Sequence, residues 1–248
     1  MVCLFLKTDT MEKIYRNRVD AEGLASFTIN EKESDLLISA RADLQNVASA
    51  SVMHYREQIE NYTAKRREFL NSLLPIDNAG EAPPIIKDMI SESRKAGVGP
   101  MAAVAGAIAQ YVAKDLLLES SEVIVENGGD IFLKTRNMRT VGIYAGDSPF
   151  SNEIALEVEP DDTPLGICTS SGTIGHSLSF GKADAVAICS PSAILADAVA
   201  TAAGNIVKTN SDIEKAIDFA SSIDGVKGIV IILGDKLGIW GRLKIKES

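Results

Sequence analysis

Apolar residues follow a period of two near the start of the chain. Such alternation, interrupted by charged or glycine-containing turns, predicts short half-buried strands. The predicted strands cover residues 13–19, 24–30 and 35–41. Because only a few residues separate them, we expect these strands to form a small antiparallel meander.

The pattern then changes to a helical one. From residue 43 to about 70, apolar side chains recur mostly every three, four or seven positions among charged residues, which predicts one long amphipathic helix. Pro83 and Pro84 open a second predicted helix that ends near Gly97. A third predicted helix follows over 100–118. The GVGPMA segment at its start resembles a dinucleotide-binding turn, but such a turn needs a strand directly before it, and a predicted helix precedes it here, which favours a helix-to-helix turn.

The second half of the chain repeats this order of strands followed by helices. A second meander is predicted over 121–134, 138–146, 153–159 and 165–169. The remaining predicted elements are a buried strand at 183–189, a helix capped by Ser190 or Ser192 and ending near Gly204, a helix at 212–223, and a hairpin at 228–245 that turns at Gly234 and Asp235. This grouping favours an α+β fold with antiparallel sheets packed against helices. We predict a single domain over 1–248 that could divide into two pseudo-repeated lobes, about 1–120 and 121–248.

Composition narrows the classes of partner. Hydrophobic residues make up 46% of the 248 positions, enough for a substantial core. A net charge of −9 predicts a surface that repels nucleic acid. The apolar stretch at 99–113 is too short to span a bilayer, so no membrane association is expected. Three widely spaced cysteines without a CxxC predict neither a disulfide framework nor a zinc site, and favour a reducing cytoplasm.

Three separate segments carry candidate chemistry. In the first, Asn127, Gly128 and Gly129 form a turn between apolar runs, flanked by Glu126 and Asp130. Asn-Gly is a common hairpin turn, so structure alone could explain it. Glycines also let the backbone approach a ligand closely, here with carboxylates alongside.

The second segment is the alanine-rich helix that contains Asp197 and Thr201. Residues four apart share a helix face, and an ionised carboxylate in apolar surroundings needs a partner. That partner could be a backbone amide or a lysine, or a hard cation such as Mg²⁺ that takes oxygen ligands. Between 140 and 207 there is one basic residue, Lys182, against eight carboxylates, so a bound phosphate would depend on amides, hydroxyls and a metal.

The third segment, TSSGTIGHS, concentrates hydroxyl groups. Its glycines permit main-chain amides to converge on an anion, and the hydroxyls add adjustable donors. The candidate ligand-binding residues are Thr169, Ser170, Ser171, Gly172 and Thr173. His176 could be a structural residue, a proton carrier or a donor to phosphate.

These three segments, in this order, resemble the ApbE family of FAD:protein FMN transferases, and the ADAVATA stretch is the most specific match. The whole chain looks closer to an archaeal and bacterial family that is a distant branch of the ApbE-like superfamily. The resemblance implies a T-fold-like architecture, magnesium ligands at Asp197 and Thr201, and a flavin or related FAD/FMN-like pyrophosphate nucleotide held by the glycine turn and the hydroxyl loop. The family's helix-start lysine has no counterpart around 105–110.

The leading hypothesis is therefore a cytoplasmic ApbE-like protein that binds such a nucleotide with Mg²⁺ and acts as a flavin or nucleotidyl-type transferase, with Asp130 or His176 as acid or base. Two alternatives stay open. One is a protein of sulfide assimilation or homocysteine formation that uses Cys168 or Cys189, and the other is a non-catalytic ligand-binding or scaffold protein. Two alanine-rich helices could also support a homo-oligomer.

Overall fold

The computed structural model describes residues 19–77, 80–173 and 179–247. Its largest feature is an antiparallel sheet of eight strands in the order β1-β2-β3-β4-β7-β8-β9-β10. These strands are β1 (Ala25–Glu31), β2 (Ser34–Ala40), β3 (Val123–Asn127), β4 (Asp130–Lys134), β7 (Leu165–Ser170), β8 (Ala185–Ser190), β9 (Gly228–Leu233) and β10 (Lys236–Gly241). A second sheet of three strands has the order β11-β6-β5 and contains β5 (Arg139–Gly142), β6 (Ile154–Val158) and β11 (Lys244–Glu247).

Six α-helices accompany the sheets in the described part of the chain. They are α1 (Gln45–Lys65), α2 (Arg67–Asn71), α3 (Pro84–Lys95), α4 (Val104–Leu116), α5 (Ala193–Ile206) and α6 (Ile213–Ser221). Short 3₁₀ turns lie at Pro100–Ala103, Pro160–Asp162 and Asn210–Asp212. The α+β fold with antiparallel sheets packed against helices is thus confirmed.

The large sheet is the middle of three layers, with helices on one face and the small sheet on the other. Strand β8 shows the division, because Val186 and Ile188 pack into the helical core while Ala185, Ala187 and Cys189 pack against the small sheet. Both faces of the central strands are therefore buried, which explains why β8 and β9 read as almost continuous apolar runs.

The predicted helix over 43–70 is wrong in one respect, because it breaks at Arg66. Arg66 leaves the helical conformation at φ −134° and ψ 78°. The break lets the buried Phe69 ring pack edge-on against Tyr62 at 5.1 Å between centroids, and the Arg66 guanidinium lies 5.5 Å from the same Tyr62 ring. Neither proline nor glycine marks this position in the sequence.

Other boundaries shift by a few residues. The helix predicted from 100 begins as a 3₁₀ turn, and Ser192 is the N-cap of α5, its hydroxyl accepting a hydrogen bond from the Leu195 amide at 3.3 Å. The strand predicted at 183–189 lies at 185–190. Of the strand predicted at 13–19, only Val19 lies among the described residues, in an isolated bridge to Val141.

The alanine-rich helices are largely enclosed by the rest of the chain. Ten residues of α5 are buried, and α4 packs against α1, α5 and the large sheet. Their surfaces are thus used within one chain, and a homo-oligomer stays a prediction. Within the described ranges no single helix is long and apolar enough to cross a bilayer; residues 84–95 with 100–116 reach that length only as a pair bent by 102°.

Candidate functional site

The glycine turn joins β3 to β4 as a two-residue hairpin. Gly128 and Gly129 both have positive φ, 67° and 101°, which suits a tight turn that side chains would strain. Asn127 and Asp130 face each other across it as paired residues. The Gly129 amide donates to Glu126 Oε1 at 2.7 Å, so this carboxylate stabilises the turn.

The start of β4 lies beside the end of β7, which brings the glycine turn to the hydroxyl segment. Asp130 is paired with Cys168, and the main-chain amide of Thr169 donates to the Asp130 carboxylate. A β-carbon placed on Gly129 would lie 4.0 Å from the Thr169 carbonyl oxygen. Two of the three candidate segments therefore meet at one edge of the helical face of the sheet.

The third segment, α5, reaches the same place through the first turn of α4. The Gly106 amide donates to Asp197 Oδ2 at 2.9 Å. Helices α4 and α5 are in close contact here, since a β-carbon on Gly106 would lie 2.3 Å from the Ala193 carbonyl oxygen. Asp197 is half-buried, and Thr201 lies one turn further along the same helix, also half-buried.

Two carboxyl groups thus lie close together without a protein cation. Burial and the nearby charge of Asp197 raise the pKa of Asp130 well above its ordinary value. Burial also raises the pKa of Asp197 to about 7, against the opposing effect of the Gly106 and Ala105 amides. Among the described residues neither carboxylate forms an ion pair with lysine or arginine. A divalent cation would satisfy this pair.

The hydroxyl segment divides into an inner and an outer part. Thr169 and Ser170 are half-buried on β7, and Ser170 Oγ would lie 3.5 Å from a β-carbon on Gly204 of α5. The outer residues make local contacts: the Thr173 amide donates to Ser171 Oγ at 3.1 Å, and the Gly172 amide donates to the Ala183 carbonyl at 2.9 Å. Ser170 shares the helical face of β7 with Cys168 and is therefore the better placed for a ligand near Asp130, whereas the Thr169 side chain lies on the opposite face and Thr169 reaches Asp130 through its main-chain amide.

Two predicted site residues do not lie where a ligand contact can be described. The Asn127 side chain is buried and donates through Nδ2 to the Ala105 carbonyl at 3.1 Å, so its amide is directed at α4. His176 lies outside the described residues.

The donor chemistry fits Mg²⁺ better than a transition metal. No group of three or more histidine, cysteine, aspartate or glutamate side chains is arranged to hold a metal within the ranges that the structure describes. Mg²⁺ accepts one or two carboxylates and completes its shell with water and substrate phosphates. Asp197, with the hydroxyl of Thr201 and the neighbouring Asp130, supplies that kind of incomplete oxygen set.

Two surface clefts lie away from the carboxylate pair. An open cleft of about 670 Å³ and a neighbouring one of about 270 Å³ are lined around the end of α1 by Tyr62, Lys65 and Arg66. Neither is lined by any of the predicted site residues. We place the candidate site at the carboxylate pair because no lysine or arginine among the described residues forms an ion pair with it.

The two thiols near the site are in unreactive surroundings. Burial, followed by the charges of Asp130 and Asp197, raises the pKa of the Cys168 thiol well above its ordinary value. Burial raises the pKa of Cys189 to about 12. Nucleophilic sulfur chemistry requires a thiolate, so the structure does not support the sulfur-handling alternative.

Sequence reasoning missed the first turn of α4 as part of the site. Ala105 and Gly106 contribute only main-chain groups, and no side-chain motif marks such a role. The available signal was the run of small residues from 102 to 107, which indicates close helix packing without naming the partner helix.

The fold is ApbE-like, with the architecture of the flavin transferases. The sequence profile described as AbpE bacteria matches residues 16–239, and the chain belongs to this family. It is 40% identical over 203 residues to a UPF0280 protein of Methanococcus aeolicus, covering 80% of this chain and 82% of the relative. It is 39% identical to a UPF0280 protein of Methanocella arvoryzae, covering 86% of each.

Solved structures share the fold at low sequence identity. The apo form of the Pseudomonas stutzeri flavinyl transferase ApbE has a TM-score of 0.59 at 14% identity and covers 88% of this chain and 93% of that chain. The flavin transferase ApbE from Vibrio cholerae has a TM-score of 0.55 at 12% identity, covering 88% and 96%. The resemblance to a distant ApbE-like branch is thus confirmed.

Proposed function

We propose that this protein binds a flavin or related pyrophosphate nucleotide together with Mg²⁺ and transfers a phosphate-linked group from it. The observation that carries the proposal is the uncompensated pair of carboxyl groups, Asp130 and Asp197, beside a glycine turn and a hydroxyl segment. The likeness in fold to flavin transferases supports the choice of a flavin nucleotide.

Each segment has a separate role in this proposal. Asp197 and Thr201 would hold Mg²⁺, which neutralises charge on a pyrophosphate and makes the nucleoside phosphate a better leaving group. The side-chain-free Gly128 and Gly129 would let the ligand approach the main chain. The Ser170 hydroxyl and main-chain amides of the hydroxyl segment would donate to phosphate oxygens, because residues 140–207 contain no arginine.

Asp130 would handle the proton of the transfer. With FAD as donor, an acceptor hydroxyl would lose its proton to the Asp130 carboxylate and form a bond to the flavin-side phosphorus, while the bond from that phosphorus to the oxygen of AMP breaks. The raised pKa of Asp130 makes its carboxylate a stronger base than an ordinary aspartate, and the proton that it gains would then pass to the leaving phosphate.

The test combines binding and product analysis. Purified full-length protein is titrated with FAD in the presence and absence of Mg²⁺, and AMP is measured by chromatography after incubation. We expect Mg²⁺-dependent binding and release of AMP, and we expect Asp197→Ala to weaken the Mg²⁺-dependent binding by about 100-fold. Asp218→Ala, which removes an exposed acid on α6, is the matched control and should bind as the unaltered protein does.

The absence of both FAD binding and AMP release would overturn the proposal. Binding without AMP release, unaffected by Asp197→Ala, would instead support the ligand-binding alternative without a metal site.

A further inference from the structure

One peptide group in the first turn of α4 is held at both ends by side chains of other elements. The carbonyl of Ala105 and the amide of Gly106 belong to the same planar peptide. The carbonyl accepts a hydrogen bond from Asn127 Nδ2 at 3.1 Å, and the amide donates to Asp197 Oδ2 at 2.9 Å. A single rigid plane therefore connects the end of β3 to the carboxylate on α5.

The plane has little freedom to move. Gly106 lies so close to α5 that a β-carbon would meet the Ala193 carbonyl oxygen at 2.3 Å and Asp197 Cβ at 2.9 Å. Because the two ends of a trans peptide point in opposite directions, a rotation that lengthens one hydrogen bond lengthens the other. Fixing the carbonyl thus fixes the direction from which the amide approaches Asp197.

Asn127 is well suited to hold the carbonyl end. It is buried at the last position of β3, directly before the two-glycine turn, and its backbone is paired with Asp130 and Leu36. Its side chain is short, and its amide donates to the Ala105 carbonyl. A carbonyl oxygen has two lone pairs, so this one can accept from Asn127 as well as from within the helix.

We propose that Asn127 is a positioning residue that sets the orientation of the Asp197 carboxylate by clamping the Ala105–Gly106 peptide. The inference rests on the proposed function in that Asp197 is the cation ligand. It assigns Asn127 an indirect role, through the main chain, in place of the direct contact with a nucleotide that its sequence motif suggested. Partners one step removed from a metal ligand alter metal affinity by about 10- to 100-fold.

The test uses two buried amides of the same region. Asn127→Leu removes the clamp while keeping a side chain of similar size, and Asn127→Asp keeps the shape but replaces the donor by an acceptor. The matched control is Gln110→Leu, because the buried Gln110 Oε1 also links α4 to α5, by accepting from the Ala193 amide at 2.7 Å, without touching the clamped peptide.

The first readout is hydrogen exchange of the Gly106 amide by NMR, in the absence of any metal. In the folded protein we expect both Asn127 variants to speed exchange at Gly106 by about 10-fold relative to neighbouring α4 amides, because the peptide loses the donor that fixes its carbonyl end and the Gly106 amide is then held less firmly against Asp197. Gln110→Leu should speed exchange at Ala193 and leave Gly106 unchanged. Unchanged exchange at Gly106 in both Asn127 variants would overturn the inference.

The second readout is the affinity for Mn²⁺, measured by electron paramagnetic resonance as a substitute for Mg²⁺. We expect the Asn127 variants to bind Mn²⁺ about 10-fold more weakly and Gln110→Leu to bind within about 2-fold of the unaltered protein. Equal losses in all three variants would show a general packing effect and overturn the positioning role. If Asp197→Ala leaves Mn²⁺ binding unchanged, the proposed metal site fails, while the exchange experiment still decides whether the clamp exists.

Discussion

The two ends of the β3–β4 hairpin both bury acidic side chains, and the protein treats them in opposite ways. Glu122, directly before β3, is fully buried and lies among cationic partners. Asp130, at the other end of the hairpin, shares its surroundings with Asp197 and has no cationic partner among the described residues. The comparison separates an acid that is paired within the fold from two acids without a cationic partner among the described residues, which we propose bind a cation.

The positive charges beside Glu122 come from within the chain. Arg41 Nε lies 2.5 Å from Glu122 Oε2, and the buried Arg139 donates to Oε1 at 3.4 Å. Burial would raise the pKa of Glu122, but hydrogen bonds from the Arg136 amide and the Thr135 hydroxyl, with the charges of Arg41 and Arg139, lower it overall. Glu122 therefore stays ionised and joins the start of β3 to β5.

The surroundings of Asp197, by contrast, contain no cationic partner among the described residues. Main-chain amides of α4 oppose the effect of burial, yet the pKa of Asp197 is still raised to about 7. Main-chain dipoles alone do not offset the desolvation of a carboxylate beside a second one. The missing positive charge is the property that an external cation would supply.

The largest expected effect is on stability and concerns Glu122 and its arginine partners. Glu122→Gln leaves Arg139 buried without its counter-ion, and we expect the free energy of unfolding to fall by about 3 to 5 kcal/mol. Urea denaturation measures this, and Mn²⁺ binding by the folded protein should be unchanged. The control is Asp235→Asn, which breaks the exposed pair with Lys236 and should cost less than about 1 kcal/mol. Similar losses in the two variants would remove the distinction between the two ends of the hairpin.

Removing the charge of Asp197 should raise the free energy of unfolding, whereas removing that of Glu122 lowers it. Because the pKa of Asp197 rises from an ordinary 3.8 to about 7 on folding, the folded state holds the proton more tightly and stability is lost as pH rises between these values. Asp197→Asn should therefore stabilise the metal-free protein by about 1 to 3 kcal/mol at pH 8 and by little at pH 4. Urea denaturation at both pH values tests this, and a variant less stable than the unaltered protein at pH 8 would contradict it.

Cation binding should show the same titration. Protons compete with the metal for Asp197, so Mn²⁺ affinity should fall by up to about 10-fold per pH unit below pH 7 and level off above it. Electron paramagnetic resonance titrations at several pH values from 5.5 to 8.5 measure this dependence. An affinity that does not change over this range would mean that the carboxylates are not the ligands.

The smallest effect is expected at the thiol between the carboxylates. In the unaltered protein Cys168 Sγ donates to the Ala193 carbonyl at 3.3 Å, and Cys168→Ser keeps a donor at this position. Mg²⁺-dependent FAD binding by this variant should therefore stay within about 3-fold of the unaltered protein. Cys168 in the folded protein should also react slowly with iodoacetamide, because its raised pKa leaves little thiolate. Rapid alkylation or a complete loss of binding would restore the thiol hypothesis.

Periodicity predicted most of the fold, because each strand and helix buries a regularly spaced face. The β3–β4 hairpin and the start of α5 were predictable for a local reason, since Gly128, Gly129 and Ser192 have conformations or caps that depend on residue type. The break at Arg66 was not, because it depends on where Phe69 finds space in the core. The small sheet was incomplete in the prediction, since β11 pairs with a strand far away in the chain.

The candidate site was predictable only as a set of side chains. Asp130, Thr169 and Asp197 were visible because their residue types are unusual in apolar surroundings, and the structure brings them together. The roles of Ala105 and Gly106 depend on main-chain groups, and that of Glu122 depends on arginines from two separate segments, so neither leaves a local pattern.

The contact between the Gly106 amide and Asp197 also determines the order in which the candidate site can assemble during synthesis. Gly106 and Asp197 are 91 positions apart, so the aspartate emerges from the ribosome long after the helix that holds it. Until then the first turn of α4 has no acceptor for its Gly106 amide, and the glycine turn has no second carboxylate beside it. If the proposed cation site is correct, the ability to bind the cation therefore arises late in synthesis, when α5 packs against α4.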